Sequence, residues 1–167
     1  DQLQRIFAEV GPDFSAELCR PATISDLDPA AIRRFREMWR RKSGNETLGQ
    51  SSDQQVLRDA ELLVDEGITY AALILFGTRQ ALGRYLAQAE VVFEYRSSDA
   101  SISYQQRKEY REGFFLFQDD LWNTINLRNE VQHYQEGLFV WNVSTFNEAV
   151  VREAILNAVS HRDYRLA

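Results

Sequence analysis

The residues with the clearest chemical potential lie near the end of the sequence, in the stretch REAILNAVSHRDY. On an α-helix, with 100° between successive residues, Glu153, Asn157, Ser160 and His161 share one stripe. A carboxylate and a carboxamide one helical turn apart can face the same Mg²⁺–triphosphate group, the first activating a water and the second giving a neutral oxygen ligand. The residue types are compatible with part of a phosphate-holding site, but the spacing alone favours a solvated stripe.

The helix that positions this stripe is predicted from about Thr145 to Ser160, with Ser144 or Thr145 as its N-cap and Glu148 in its first turn. The face opposite the stripe is predicted to be apolar. That face consists of Val151, Ala154, Ile155 and Ala158.

Composition sets the class of protein that carries this helix. With 167 residues, of which 44% are hydrophobic, the chain can bury a core. The net charge of −6 argues against a chain that coats nucleic acid over its whole surface. A single cysteine, Cys19, cannot form an internal disulfide, and no apolar run is long enough to span a bilayer. We therefore expect a cytoplasmic location and no membrane association.

The N-terminal half is predicted to be helical. A short amphipathic piece carries Leu3, Ile6, Phe7 and Val10, and glycine and prolines then suggest a linker. Asp28 and Pro29 start a helix that ends at Gly44. A second helix begins near Asp53, and Thr69 caps a third that Gly77 closes.

The second half mixes strands and helices. Residues 89–96 alternate like a half-buried strand, residues 106–126 are predicted to form one long helix, and residues 131–142 form a hairpin that turns at Gly137. The expected fold is α+β, mainly helical, with a small, mostly antiparallel sheet built from residues 89–96 and the 131–142 hairpin.

Three segments carry a resemblance to a known family. The pattern from Glu153 to His161 resembles the N-box of GHKL ATPases and histidine kinases, in which the Glu or its neighbour handles the attacking water and the Asn coordinates magnesium. Together with SDLDPAAIRRFREMWRRKSGN and TYAALILFG, it resembles the bacterial family of RecG-related ATP-dependent helicases or transcriptional regulators. In that family a Schlafen-type, AlbA-like DNA-binding domain precedes this region, and a divergent GHKL-like ATPase domain follows it.

The resemblance implies an organisation and a set of roles. Residues 1–22 are a short helix and linker, residues 23–144 an α+β connecting domain, and residues 145–167 the start of a truncated GHKL-like domain. Glu153 is the candidate catalytic residue, Asn157 and His161 are candidate cofactor contacts, and Asn157 is the candidate Mg²⁺ ligand in a longer protein. The implied function is a connecting, regulatory region in a DNA-binding transcriptional regulator that responds to ATP. The alternative is an interaction or oligomerisation module, and hence a homo-oligomer, without nucleotide binding.

The sequence also departs from the family pattern. It holds neither an Asp-x-Gly-x-Gly turn nor a G-x-x-x-x-G-K-[ST] phosphate loop. We therefore expect no bound cofactor and no ATP hydrolysis by these 167 residues alone. ATP and Mg²⁺ are expectations for a longer protein.

The remaining candidates are weaker. The histidines, His133 and His161, have no zinc-ligand spacing, and Cys19 has no partner pattern for nucleophilic catalysis. One dense basic segment could contact DNA phosphates, although positive residues also favour a helix C-terminus. Its candidate contacts are Arg33, Arg36, Arg40, Arg41 and Lys42.

Overall fold

The computed structural model describes residues 13–65, 67–98 and 103–166. The predicted amphipathic piece with Leu3, Ile6, Phe7 and Val10 lies outside these residues. The described residues form an α+β fold of six α-helices and three separate two-stranded antiparallel sheets, which confirms the predicted fold class.

The helices are short except for three of them. Their bounds are α1 Pro29–Ser43, α2 Asp53–Asp59, α3 Tyr70–Phe76, α4 Arg79–Tyr85, α5 Phe114–Asn126 and α6 Glu148–Ser160. Single 3₁₀ turns lie at Phe14–Ala16, Ile24–Asp26, Glu46–Gln50 and Ala87–Ala89.

The strands pair strictly with their neighbours in sequence. Their bounds are β1 Leu63–Val64, β2 Gly67–Ile68, β3 Val91–Tyr95, β4 Gln106–Tyr110, β5 Val131–Glu136 and β6 Phe139–Ser144. The pairs are β1 with β2, β3 with β4 and β5 with β6. The predicted single sheet that joined residues 89–96 to the 131–142 hairpin is therefore wrong, because β3 takes β4 as its partner.

Local capping explains why the helices begin and end where they do. The Asp28 carboxylate accepts from the amide of Ala30, Pro29 takes the first helical position, and Gly44 ends α1 with a φ of 67°. The Thr69 side chain accepts from the amide of Ala72 at the start of α3. The predictions for these two helices are confirmed.

The predicted helix over residues 106–126 is wrong at its N-terminal end and confirmed over Phe114–Asn126. Residues 106–110 form β4, with alternating burial and a register that sets Tyr110 opposite Val91. The Arg107 guanidinium donates to Glu94 on the facing strand at 3.0 Å. The helix begins only after Gly113, whose amide donates to the carbonyl of Gly77 at 2.8 Å. A Cβ at Gly113 would lie 2.6 Å from the Leu75 carbonyl oxygen, so this close approach of two backbones requires glycine.

The chain divides into two compact units, and the division falls within α5. The first unit runs to Leu116 and includes the residues from Tyr164 onward, and the second is Phe117–Asp163. The second unit holds both the β5–β6 hairpin and α6, whereas the predicted domain boundary separates residues 144 and 145. That boundary stays a prediction.

The core of the first unit collects side chains from most of its helices. Its largest fully buried residues are Phe76, Ile32, Leu57, Ile68, Leu73, Leu82, Leu86, Val56 and Cys19. Several of them come from amphipathic helix faces, as in Ile32 on α1 and Val56 and Leu57 on α2.

Candidate functional site

Helix α6 carries the predicted stripe, and its N-cap differs from the predicted one. The Asn147 side chain accepts from the amide of Val150, so α6 begins at Glu148 and neither Ser144 nor Thr145 caps it. The physical reason lies in Thr145, whose amide and hydroxyl both donate to the carbonyl of Glu130. That pairing adds to the hydrogen bonds of the hairpin. The N-cap is therefore Asn147, two residues after Thr145.

Helix α6 has one narrow face that is shielded from solvent. Val159 is buried, and Ile155 and Val151, one and two turns before it, are half-buried. Ala154 and Ala158 are exposed, so half of the predicted apolar face is wrong. The buried row is a single i, i+4, i+8 line, which is narrower than the four-residue face that the sequence suggested.

Glu153, Asn157 and His161 lie on the exposed side of α6. Among the described residues, none of these three side chains makes a hydrogen bond or an ion pair. The backbone of Asn157 is engaged, because its carbonyl accepts from the amide of His161 at 2.9 Å. A carboxylate and a carboxamide are thus presented to solvent one turn apart, and residues 13–65, 67–98 and 103–166 give them no side-chain partner.

The neighbouring polar residue of α6 behaves differently. The Arg152 guanidinium donates to Asp119 at 2.8 Å and to Glu148 at 2.7 Å, and it lies over the ring of Trp122. Burial alone would lower the pKa of Arg152, but the two carboxylates raise it above its usual value. Arg152 therefore fixes the second unit internally, whereas the stripe residues have no such role.

The described residues contain no group of three or more His, Cys, Asp or Glu side chains that could hold a metal ion. His133 is bonded across the hairpin, with its Nδ1 2.7 Å from the Asn142 amide oxygen. Cys19 is buried, and burial raises the pKa of its thiol, which disfavours the nucleophilic thiolate.

The basic segment of α1 is largely neutralised within the first unit. Arg36 donates to the carbonyl of Ser51 at 2.6 Å and pairs with Asp53 at 3.3 Å. Arg40 pairs with Glu37 and Glu46, and Arg41 also pairs with Glu37. These contacts favour a structural role for most of the charges proposed to face DNA.

Two members of the basic set remain exposed on α1. Arg33 and Lys42 have no hydrogen bond or ion pair to the part of the chain that the structure describes. Two cations make a much smaller electrostatic footprint than the six to ten phosphate contacts typical of DNA-binding domains.

An apolar groove on the first unit was not predicted from the sequence. It has a volume of about 560 Å³ and is lined by Phe35, Met38, Trp39, Arg41, Lys42 and Phe115. The spacing of Phe35, Met38 and Trp39 signalled one helical face. That face becomes one wall of a groove because Phe115, which is distant in sequence, packs against Phe35.

No helix among the described residues is long and apolar enough to cross a membrane.

Comparison with known proteins places this α+β chain in a family. Residues 4–92 match the domain of unknown function DUF8451, and this match covers more than half of the chain. The protein therefore belongs to the DUF8451 family. No curated protein sequence matches it.

A solved structure shares the fold. The crystal structure of the DIP2311 protein from Corynebacterium diphtheriae is similar, with a TM-score of 0.68 and 23% sequence identity. The similarity covers 98% of this chain but only 30% of the DIP2311 protein. At this identity it shows the fold alone.

Proposed function

We propose that this chain is the connecting, regulatory region of a cytoplasmic, DNA-associated transcriptional regulator, related to the RecG-like family, in which α6 contributes part of an ATP-binding site. The observation that carries the proposal is the exposure of Glu153 and Asn157 on one side of α6, where neither side chain bonds to any residue that the structure describes. Polar side chains that stabilise this fold, such as Arg152, are bonded to neighbours, so the unbonded pair is available for a ligand.

The chemistry follows from the residue types. The Asn157 amide oxygen would coordinate Mg²⁺ on the nucleotide phosphates, and the Glu153 carboxylate would accept a proton from the attacking water. His161 follows directly at the C-terminal end of α6, on the same side. Glycine-rich phosphate loops are needed to complete such a site, and these 167 residues hold none, so the remaining contacts would come from a longer protein.

Nucleotide affinity of the full-length protein tests this role. Asn157→Ala should weaken Mg²⁺-dependent binding of a fluorescent ATP analogue by about tenfold, because one metal ligand is lost. Ser160→Ala is the matched control, since Ser160 lies in the same exposed stripe and its hydroxyl bonds only to the Asn157 carbonyl. Equal affinity of Asn157→Ala and the unmodified protein would exclude Asn157 as a metal ligand.

Coupling is the second part of the proposal. Nucleotide contacts on Glu153 and Asn157 would shift α6 and pass that shift to the buried segment around α3. Hydrogen exchange on the full-length protein should then change at residues 69–77 and 146–161 when nucleotide binds. Unchanged exchange in both segments would contradict the coupling.

The β5–β6 hairpin favours a second candidate function, self-association. Its register places Tyr134 opposite Trp141 and Gln132 opposite Val143, so one face is mainly apolar. The large side chains of that face are exposed, and Leu138 at the turn is 97% exposed. Apolar surface of this kind typically marks an interface, here with a second copy of the chain.

Light scattering on the 167-residue chain separates the two candidates. Self-association through the hairpin should give a mass that rises with concentration and falls to that of a monomer in Trp141→Lys. A monomer at every concentration would remove this second candidate and leave the nucleotide proposal untouched.

A further inference from the structure

The apolar groove of the first unit has a rigid aromatic floor. The Phe35 ring lies 5.4 Å from Phe76, 5.2 Å from Phe115 and 5.4 Å from Trp39, measured between ring centroids. Phe76 is fully buried, so the cluster is anchored in the core. Such aromatic contacts stabilise the cluster beyond the effect of burial, which keeps the floor in place without a ligand.

A hydrogen bond from a side chain to a backbone carbonyl joins the two walls of the groove. The Arg34 guanidinium of α1 donates to the carbonyl of Phe115 at 3.0 Å, and Phe115 lies in the first turn of α5. The groove is therefore built before any partner arrives, and binding would cost little reorganisation.

The open side of the groove is apolar at its centre and positive at its edge. Met38 is 45% exposed, whereas apolar residues elsewhere on α1, such as Ala31 and Ile32, are buried. Lys42 and Arg41 line the rim, and of these two Arg41 also pairs with Glu37. This local positive charge stands on a chain whose net charge is −6, so it selects for a negatively charged partner.

The alternative anionic partner, single-stranded nucleic acid, fits these contacts less well. Nucleic-acid grooves use a line of cations to follow the phosphates, and they leave aromatic faces open for stacking. Here Arg36 and Arg40 are bonded to acidic or backbone groups of the first unit, and Phe35 is covered on several sides by other rings. Lys42 and the exposed Arg41, which is paired with Glu37, are too few cations to follow a phosphate chain, and beside an apolar floor they match a protein segment better.

We infer that this groove docks an acidic, amphipathic helical segment of a partner protein, with apolar side chains placed against Phe35, Met38, Trp39 and Phe115 and carboxylates near Arg41 and Lys42. The stripe of α1 that forms one wall has the i, i+3, i+4, i+7 spacing that recognises a helix laid alongside it.

A designed peptide pair tests the inference. The first peptide is a fluorescein-labelled helix of about four turns with leucines on one face and glutamates elsewhere, and the second has lysine in place of each glutamate. Anisotropy titrations with the 167-residue chain should show binding of the acidic peptide only, and the affinity should fall when NaCl is raised from about 50 mM to about 500 mM.

Substitutions then locate the site. Met38→Glu should weaken binding of the acidic peptide about tenfold, because a charge enters the apolar floor. Lys42→Glu should weaken it two- to fivefold and should admit the lysine peptide. Arg33→Glu is the matched control, since Arg33 is an exposed cation of the same helix outside the groove, and it should change affinity less than twofold. Circular dichroism checks that each variant is folded.

Several outcomes would overturn the inference. Equal binding of both peptides would show an apolar surface without charge selection. Binding of a labelled oligothymidine that depends on Met38 and Lys42 would make the groove a nucleic-acid site. A concentration-dependent mass that Met38→Glu abolishes would make a second copy of the chain the occupant. No binding of either peptide, with every variant folded, would also reject it.

Discussion

The two units of this protein differ in how much of their apolar surface they bury. In the first unit the largest apolar side chains are fully buried, with Phe76 at the centre of an aromatic cluster. In the second unit every residue of β5 and β6 is exposed, although the two strands contain valines, Tyr134, Phe139 and Trp141. Aromatic residues thus lie in a packed core around Phe76 in the first unit and on an open surface in the β5–β6 hairpin, although the second unit also buries Phe117 and Trp122.

The difference shows what holds each unit together. The hairpin depends on its ladder, in which six residue pairs are in register, and on cross-strand contacts such as that between His133 and Asn142. Cross-strand pairs contribute only about 0.2–1 kcal/mol each. The first unit instead depends on burial, where a single large side chain contributes several kcal/mol. The exposed apolar hairpin is therefore available for binding at little cost to the fold.

The largest expected effect comes from a substitution in the packed core of the first unit. Phe76→Ala should lower the free energy of unfolding of the first unit by about 4 kcal/mol, because it removes a buried ring and leaves a cavity. Trp141→Ala should lower stability by less than about 1 kcal/mol, because Trp141 is 58% exposed.

The rate of chemical modification of Cys19 measures this difference in stability between the two variants. It is the single thiol in the sequence and is buried in the first unit, so a thiol reagent reacts only when that unit opens. The rate of modification in urea should rise strongly in Phe76→Ala and stay near that of the unmodified protein in Trp141→Ala. Similar rates in the two variants would show that the two regions do not differ in this way.

A smaller effect is expected at two glycines of the first unit. Gly113→Ala should destabilise by about 2 kcal/mol, because the new methyl group would meet the backbone of Leu75 and Phe76. Gly83→Ala is the control. Gly83 lies in α4 with open space around it, so alanine should leave stability unchanged or raise it by up to about 1 kcal/mol. Urea midpoints of the two variants should thus move in different directions, and a shared loss would contradict the close-approach explanation.

Much of the first unit could be predicted because its signals are local. An N-cap such as Asp28 or Thr69 bonds to an amide two or three residues away, so a short stretch of sequence contains both partners. The hairpin turn at Gly137 is local in the same sense, with a φ of 61° that glycine adopts without strain.

Strand β4 could not be predicted for the opposite reason. Residues 106–110 are mostly polar, and their pairing partner β3 lies across an intervening segment of sequence. The apolar periodicity that starts at Phe114 is compatible with a longer helix, and Gly113 was the one sign of a break. The groove has the same origin, because Phe35 and Phe115 meet only through the tertiary fold.

The sequence predicts which polar residues of α6 share one side of the helix, but it does not predict which residues cover the rest of α6. Helical geometry alone places Glu153 and Asn157 on one side of α6. The exposure of Ala154 and Ala158 depends on how little of α6 is covered, and no local pattern contains that information. The nucleotide role itself stays a proposal.

The smallest expected effect concerns the charge of Glu37 on α1, and it depends on pH. Hydrogen bonds from Arg40 and then from Arg41 lower the pKa of Glu37 from 4.5 to about 2. A carboxylate with a lowered pKa in the folded state stabilises that state fully above its ordinary pKa, and this stabilisation is lost as the pH falls through the folded value. The unmodified protein should therefore be slightly more stable than Glu37→Gln at pH 7, and the difference should shrink between about pH 4.5 and about pH 2. Because Glu37 is exposed to solvent ions, about 500 mM NaCl should reduce the difference at pH 7 as well. Urea unfolding of both proteins across this pH range measures it, and a difference that persists unchanged at pH 2 would mean that the two arginines do not act on Glu37 through its charge.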